Sequence, residues 1–107
     1  MRAKFFIYID DVRECPRVFD ETFVNFTCRT YSAAIEVIEY CTSFKDFEVY
    51  LSFDHDLGEE KSGYDIAKYI VENKIPITGY TVHSMNPVGK WNIHQLMEHY
   101  GYGRFEV

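Results

Sequence analysis

Three short clusters hold most of the side chains in this sequence that could do chemistry. Asp10 and Asp11 stand together with Arg13 just behind them. Asp54, His55 and Asp56 are consecutive, and His83 and Ser84 are followed by Asn86, Pro87, Val88, Gly89 and Lys90. Carboxylates gathered at one place repel each other and resist desolvation unless a cation sits among them. Oxygen ligands from Asp10, Asp11 and Asp54, with Asp56 adjacent, suit Mg²⁺, which keeps several waters and bridges to a substrate phosphate. Adding His55 or His83 shifts the preference towards Mn²⁺ or another transition metal. Arg13 can grip a phosphate through its planar fork, and the histidines, titrating near neutrality, can move protons to or from a phosphoester oxygen. These residue types point to phosphate chemistry.

Each residue also has a plainer role to weigh. A strand-end aspartate can cap the loop that follows, but two acids at one strand end and two at another exceed what capping needs, and unfavourable charge clusters mark functional sites. His55 between two aspartates fits a salt-bridged surface histidine. His83 fits a core histidine bonded to a carbonyl, although Ser84 and Asn86 beside it favour a site. Ser84 also fits a turn, Lys90 an ordinary helix surface, and Arg13 an ion-pair partner for Asp11. In a chain that is 18% aromatic, Trp91, Tyr64 and Tyr102 read as core before they read as base-stacking platforms.

The elements that must position these clusters follow from patterning. Phe5 to Ile9 is a continuous apolar, β-prone run ending at Asp10, as expected of a strand covered on both faces in a parallel sheet. Phe23 to Cys28 reads as a second strand, Phe47 to Phe53 as a third ending in acids, and Ile77 to Val82 as a fourth ending at His83. Ser32 is the expected N-cap of a helix through Cys41, and Ser62 to Asp65 has the form of a capping box opening a helix to Glu72. Asn86 and Pro87 suit the cap and first position of a last helix, which Gly101 ends. Residues 12–22 contain Pro16 and no clear helical period, and Phe105 to Val107 predicts a short edge strand.

Strands alternating with helices predict one α/β domain over residues 1–107, three-layered and doubly wound around a mostly parallel sheet. In such sheets the ligand lies beyond the carboxyl ends of the strands, at the topological switch point. The three clusters are therefore expected on one rim. There Ser84, Asn86 and the last helix's N-terminus, through Gly89 and Lys90, would join Arg13 around a phosphate.

Composition narrows the partner. With 47% hydrophobic and 26% charged residues, the chain is globular in type, and 107 residues suffice for one core without staples. A formal net charge of −6 argues against an extended nucleic-acid surface and leaves a small anionic ligand. Phe5 to Ile9 is too short for a signal h-region, and no run approaches the ~18 apolar residues of a membrane span. Cys15, Cys28 and Cys41 are odd in number and lack zinc-site spacing, which fits thiols in a reducing cytoplasm.

At the level of motifs, paired aspartates ending the first strand, Asp54 ending the third, then Leu57-Gly58 and Gly63, resemble response-regulator receiver domains. That resemblance puts Asp54 at the phosphoacceptor and Asp10 and Asp11 at the metal-binding acids. Asp10-Asp11-Val12-Arg13, Ser52-Phe53-Asp54-His55-Asp56-Leu57-Gly58 and His83-Ser84-Met85-Asn86-Pro87-Val88-Gly89, in this order, more specifically resemble the cyclic-phosphate processing receiver domains. The resemblance spans nearly the whole chain and implies a receiver-like (flavodoxin-like) fold and processing of a cyclic phosphate on a nucleotide or RNA end. Two features depart from signalling receivers. The Lys-Pro pair after their fifth strand has no counterpart, and the first helix is reduced or missing.

The leading expectation is thus a phosphoesterase that opens a cyclic phosphodiester. Asp10, Asp11, Asp54 and Asp56 hold Mg²⁺ or Mn²⁺, His55 and His83 act as general acid and base beside Asp54, and Arg13, Ser84, Asn86, Gly89 and Lys90 bind phosphate. The alternatives are a receiver phosphorylated on Asp54 and a non-catalytic protein that captures a cyclic nucleotide.

Overall fold

A computed structural model describes residues 2–16 and 21–105. Its elements run β1 (Ala3–Ile9), β2 (Val24–Cys28), α1 (Tyr31–Cys41), β3 (Phe47–Phe53), α2 (Gly63–Glu72), β4 (Gly79–Val82) and α3 (Pro87–His99). All strand pairs are parallel, in the order β2-β1-β3-β4. The chain moves outward from β1 to β2, crosses back to β3 and continues to β4. The reversal puts the switch point at the ends of β1 and β3. This is an α/β fold, as the patterning predicts, and a receiver-like one, as the resemblance implies.

Register decides which side chains share a face. Ile7 pairs with Leu51 and Leu51 with Tyr80; Ile9 pairs with Phe53 and Phe53 with Val82. These residues join one buried cluster with Ala34 and Ile38 of α1, Ile66 and Ile70 of α2, and Ile93 and Met97 of α3. Burying each large aliphatic or aromatic side chain there contributes about 1.5–3 kcal/mol before the entropy of ordering it is subtracted. The helices all feed this one face, whereas the other face carries residues 12–16 and the tail through Phe105. The thinning expected at the first helix therefore extends to a whole layer among the described residues. Residues 17–20 of the segment lacking a helical period lie outside the described ones.

Caps set the helix starts. Thr30, not Ser32, caps α1, its hydroxyl accepting from the Ala33 N–H at 3.1 Å, and Ser32 falls within the first turn. Asp65 reaches back to the Ser62 N–H at 2.8 Å, as the capping box predicts. Asn86 caps α3 with Pro87 following it, and Gly101, at φ 88°, takes the left-handed conformation just past the helix end. In place of an extended fifth strand, Arg104 makes an isolated parallel bridge to Tyr80; Glu106 and Val107 lie outside the described residues. No described helix is long and apolar enough to cross a membrane.

Candidate functional site

The ladder continues one residue past the ends of β1, β3 and β4. The Asp54 N–H donates to the Ile9 carbonyl at 3.0 Å and the His83 N–H to the Phe53 carbonyl at 3.2 Å. Asp10, Asp54 and His83 therefore form a row across three neighbouring strands. Because Ile9, Phe53 and Val82 point to the helices, the next residue on each strand points to the opposite face. Asp10 is fully buried and Asp54 is 7% exposed. Donor atoms of Asp10, Asp54 and His83 lie within 4.8 Å of one another.

Asp10 is the hub of the row. Its Oδ1 accepts the Val12 and Arg13 N–H groups at 3.0 and 2.8 Å, and Oδ2 meets His83 Nε2 at 3.0 Å. Arg13 Nε lies 3.4 Å from the same Oδ2, and its Nη2 lies 4.0 Å from Asp54 Oδ2. Arg13 thus bridges both carboxylates and supplies the cation that the acid pair needs; the expected partner Asp11 is not the one it finds. Burial by itself would raise the Asp10 pKa, but the two backbone N–H bonds and the His83 contact outweigh it and hold the carboxyl below its ordinary value. Arg29 steadies this turn by donating to the Asp10 and Arg13 carbonyls.

His83 has both ring nitrogens engaged. Nδ1 lies 2.7 Å from Ser52 Oγ, Nε2 faces Asp10, and the ring stacks on Tyr8 with centroids 4.5 Å apart and planes 5° from parallel. Burial lowers the His83 pKa, overriding the opposite pull of Asp10. With Asp10 ionised it can only accept, so neutral His83 carries its proton on Nε2. Its Nδ1 then accepts from the Ser52 hydroxyl. The result is a directed line from Ser52 through His83 to Asp10.

The Asp54–Asp56 loop sits against the start of α3. His55 Nδ1 lies 3.0 Å from Asp56 Oδ1 and 3.5 Å from Asn86 Nδ2, which leaves Nε2 without a partner among the described residues. Two glycines allow this packing. A Cβ on Gly63 would fall 2.0 Å from the Asp54 carbonyl oxygen, and one on Gly89 would fall 2.4 Å from His55 Cγ. Neither position has room for a side chain.

Some expected ligands have other work. Asp11 lies outside the Asp10–Asp54–His83 cluster; its Oδ2 is turned to Gly58, where a Cβ would come within 2.8 Å. Successive residues at a strand end point in different directions, so Asp11 does not follow Asp10 into the row. Asp56 is also outside the cluster, with its oxygens against His55 and Asn86. Ser84 Oγ accepts the Asn86 N–H at 3.0 Å and Asn86 Oδ1 accepts the Gly89 N–H at 2.9 Å, so these groups build the turn and cap. Lys90 instead lines a cavity of about 690 Å³ that also borders Arg13, His83 and Ser52.

Three contributors are absent from the sequence-level candidates: Ser52, Tyr8 and Arg29. Ser52 and Tyr8 are register partners. Both lie an even number of residues before Asp54 and Asp10, so period-two alternation puts them on the acids' face. Ser52 is moreover a hydroxyl in an otherwise apolar run. Nothing comparable in the sequence marks Arg29.

A family model described as the cyclic-phosphate processing receiver domain matches residues 5–99. No curated protein and no solved structure matches the chain.

Proposed function

The chain belongs to the cyclic-phosphate processing receiver family, and on that premise we propose that it opens cyclic phosphodiesters, on a free nucleotide or an RNA end. The observation that carries this is the line Ser52–His83–Asp10, with Asp54 and Arg13 beside it, at the switch point of the sheet. Ring opening needs a base for the attacking oxygen and an acid for the departing ribose oxygen. His83, oriented by Asp10, suits the first role. His55, whose Nδ1 is held by Asp56 while Nε2 has no described partner, suits the second. Arg13 supplies positive charge for the phosphoryl oxygens from a site 44% exposed, and Lys90 borders the same cavity.

The row also fits a divalent ion. Asp10 and Asp54 offer carboxylate oxygens, which suit Mg²⁺ or Mn²⁺, while His83, its ring nitrogens committed to Ser52 and Asp10, stands beside them. When bound, such an ion polarises a phosphoryl oxygen and neutralises charge. Holding it would draw Arg13 off the carboxylates and free its guanidinium for substrate.

The test is chromatographic separation of products from 2′,3′- and 3′,5′-cyclic nucleotides and a short RNA ending in a 2′,3′-cyclic phosphate, with Mn²⁺, Mg²⁺ or EDTA. Conversion to monoesters that fails in His83→Ala supports the proposal. Conversion undiminished in that variant removes His83 from the chemistry. Stable phosphate on Asp54 from a small phosphodonor, without ring opening, would favour the phosphoacceptor alternative.

A further inference from the structure

Within the ring-opening function proposed above, on which this step rests, we infer that Ser52 is the attacking nucleophile and that the reaction passes through a phosphodiester bonded to Ser52 Oγ.

Three observations converge on it. The contact of 2.7 Å between Ser52 Oγ and His83 Nδ1 is the shortest hydrogen bond His83 makes, and the tautomer set by Asp10 leaves Nδ1 as the acceptor of the serine proton. A hydroxyl bonded to a base that a buried carboxylate orients is the arrangement that activates serine in acyl and phosphoryl transfer. Both His83 ring nitrogens are engaged, so among the described residues Ser52 carries the hydroxyl that His83 is placed to activate. Finally, although Ser52 is only 5% exposed, it borders the cavity that Arg13, Lys90 and His83 also line, beside the space where an anion would bind. A serine serving only to orient the ring would not need that opening.

The step balances. Ser52 Oγ forms a bond to phosphorus as its proton passes to His83 Nδ1, and the ring P–O bond breaks, its electron pair leaving on the ribose oxygen. That oxygen takes a proton from His55. A water then attacks the seryl phosphodiester and gives a proton to His55, while Ser52 departs and recovers its proton from His83. One water is consumed, one P–O bond is lost from the ring, and both histidines return to their starting states. No oxidant or reductant is needed.

The inference is tested on the intact chain with diisopropyl fluorophosphate, which phosphorylates activated serines irrespective of the natural substrate. Labelling at neutral pH is followed by intact mass, with the modified peptide mapped. The expected result is one adduct, on Ser52, absent from Ser52→Ala and slowed at least about tenfold in His83→Gln. In parallel, Ser52→Ala should open cyclic nucleotides more than about 100-fold more slowly than the parent. No adduct on Ser52 of the parent chain, a result that needs no variant to fold, overturns the inference even if ring opening is observed. An adduct on Ser52 in a protein inert to every cyclic phosphate supports the activated serine while removing the ring-opening proposal, so the two failures are distinct.

Discussion

Replacing Asp10 by Asn separates charge from shape at the hub of the site. The amide oxygen can stay on the Val12 and Arg13 N–H groups, at 3.0 and 2.8 Å in the parent, because the reverse rotamer would set an NH₂ against both donors. The NH₂ then faces His83 Nε2 and Arg13 Nε, the partners that lay 3.0 and 3.4 Å from Oδ2. Two charge-assisted contacts, each worth about 1.5–3 kcal/mol, are lost. A new bond from the amide to Nε2 and relief from burying a charge offset part of that, leaving a net cost of about 2 kcal/mol. Asp10→Ala, which strands both backbone donors and Arg13, should cost about 3–5 kcal/mol.

The sharper effect is on His83. Nε2 must now accept, so the proton moves to Nδ1 and Ser52 loses its acceptor; activity should fall by several orders of magnitude, as a wrong histidine tautomer causes elsewhere. Urea unfolding reads the stability terms, and ¹⁵N shifts of the imidazole read the tautomer. An unchanged tautomer in Asp10→Asn, or a stability loss equal to that of the alanine variant, would refute the reasoning.

Three other outcomes follow from the same geometry. Gly63→Ala brings a Cβ within 2.0 Å of the Asp54 carbonyl oxygen, a backbone atom that cannot swing aside, so it should destabilise by at least about 1–3 kcal/mol in chemical denaturation and displace Asp54. Stability should fall in acid in two stages. Burial depresses the His83 pKa below 6.5, so its contribution is complete above that pH and lost as pH falls through the folded value. For Asp10, burial opposes but hydrogen bonds win, so its contribution is present above 3.8 and lost as pH falls through its still lower folded value. His94, whose pKa burial also lowers, shares the upper stage, so equilibrium unfolding from pH 3 to 8 should show that stage reduced, and the lower one kept, in His83→Gln. Burial pushes the Cys28 and Cys41 thiols up to about 11 and about 12, so a disulfide reagent at pH 8 should modify Cys15 in the native protein and these two only after unfolding.

The frame of the fold was legible because parallel strands buried on both faces read as unbroken apolar runs, and charge at the end of such a run is conspicuous. Asp10, Asp54 and His83 were visible for that reason. Their partners were not, because hydrogen bonding across strands depends on lateral register: that Ser52 meets His83, 31 residues away, follows only once β3 and β4 are aligned. Asp11, read as a ligand because it neighbours Asp10 in sequence, lies outside the Asp10–Asp54–His83 group in space. Thr30 displaced Ser32 as the cap because both residue types serve equally well and only the backbone entering α1 decides. The side-chain roles of Asn86 and Ser84 were half-readable: the cap was plain, but the cap itself spends the Gly89 N–H that had looked available to a phosphate.

The most direct test of ring opening is phosphorus NMR of the purified protein mixed with 2′,3′- and 3′,5′-cyclic nucleotides, beside His83→Ala. The predicted result is that one cyclic resonance decays into a phosphomonoester signal with the parent chain and persists with the variant. Cyclic resonances that persist equally in both samples, with and without Mn²⁺, would contradict it.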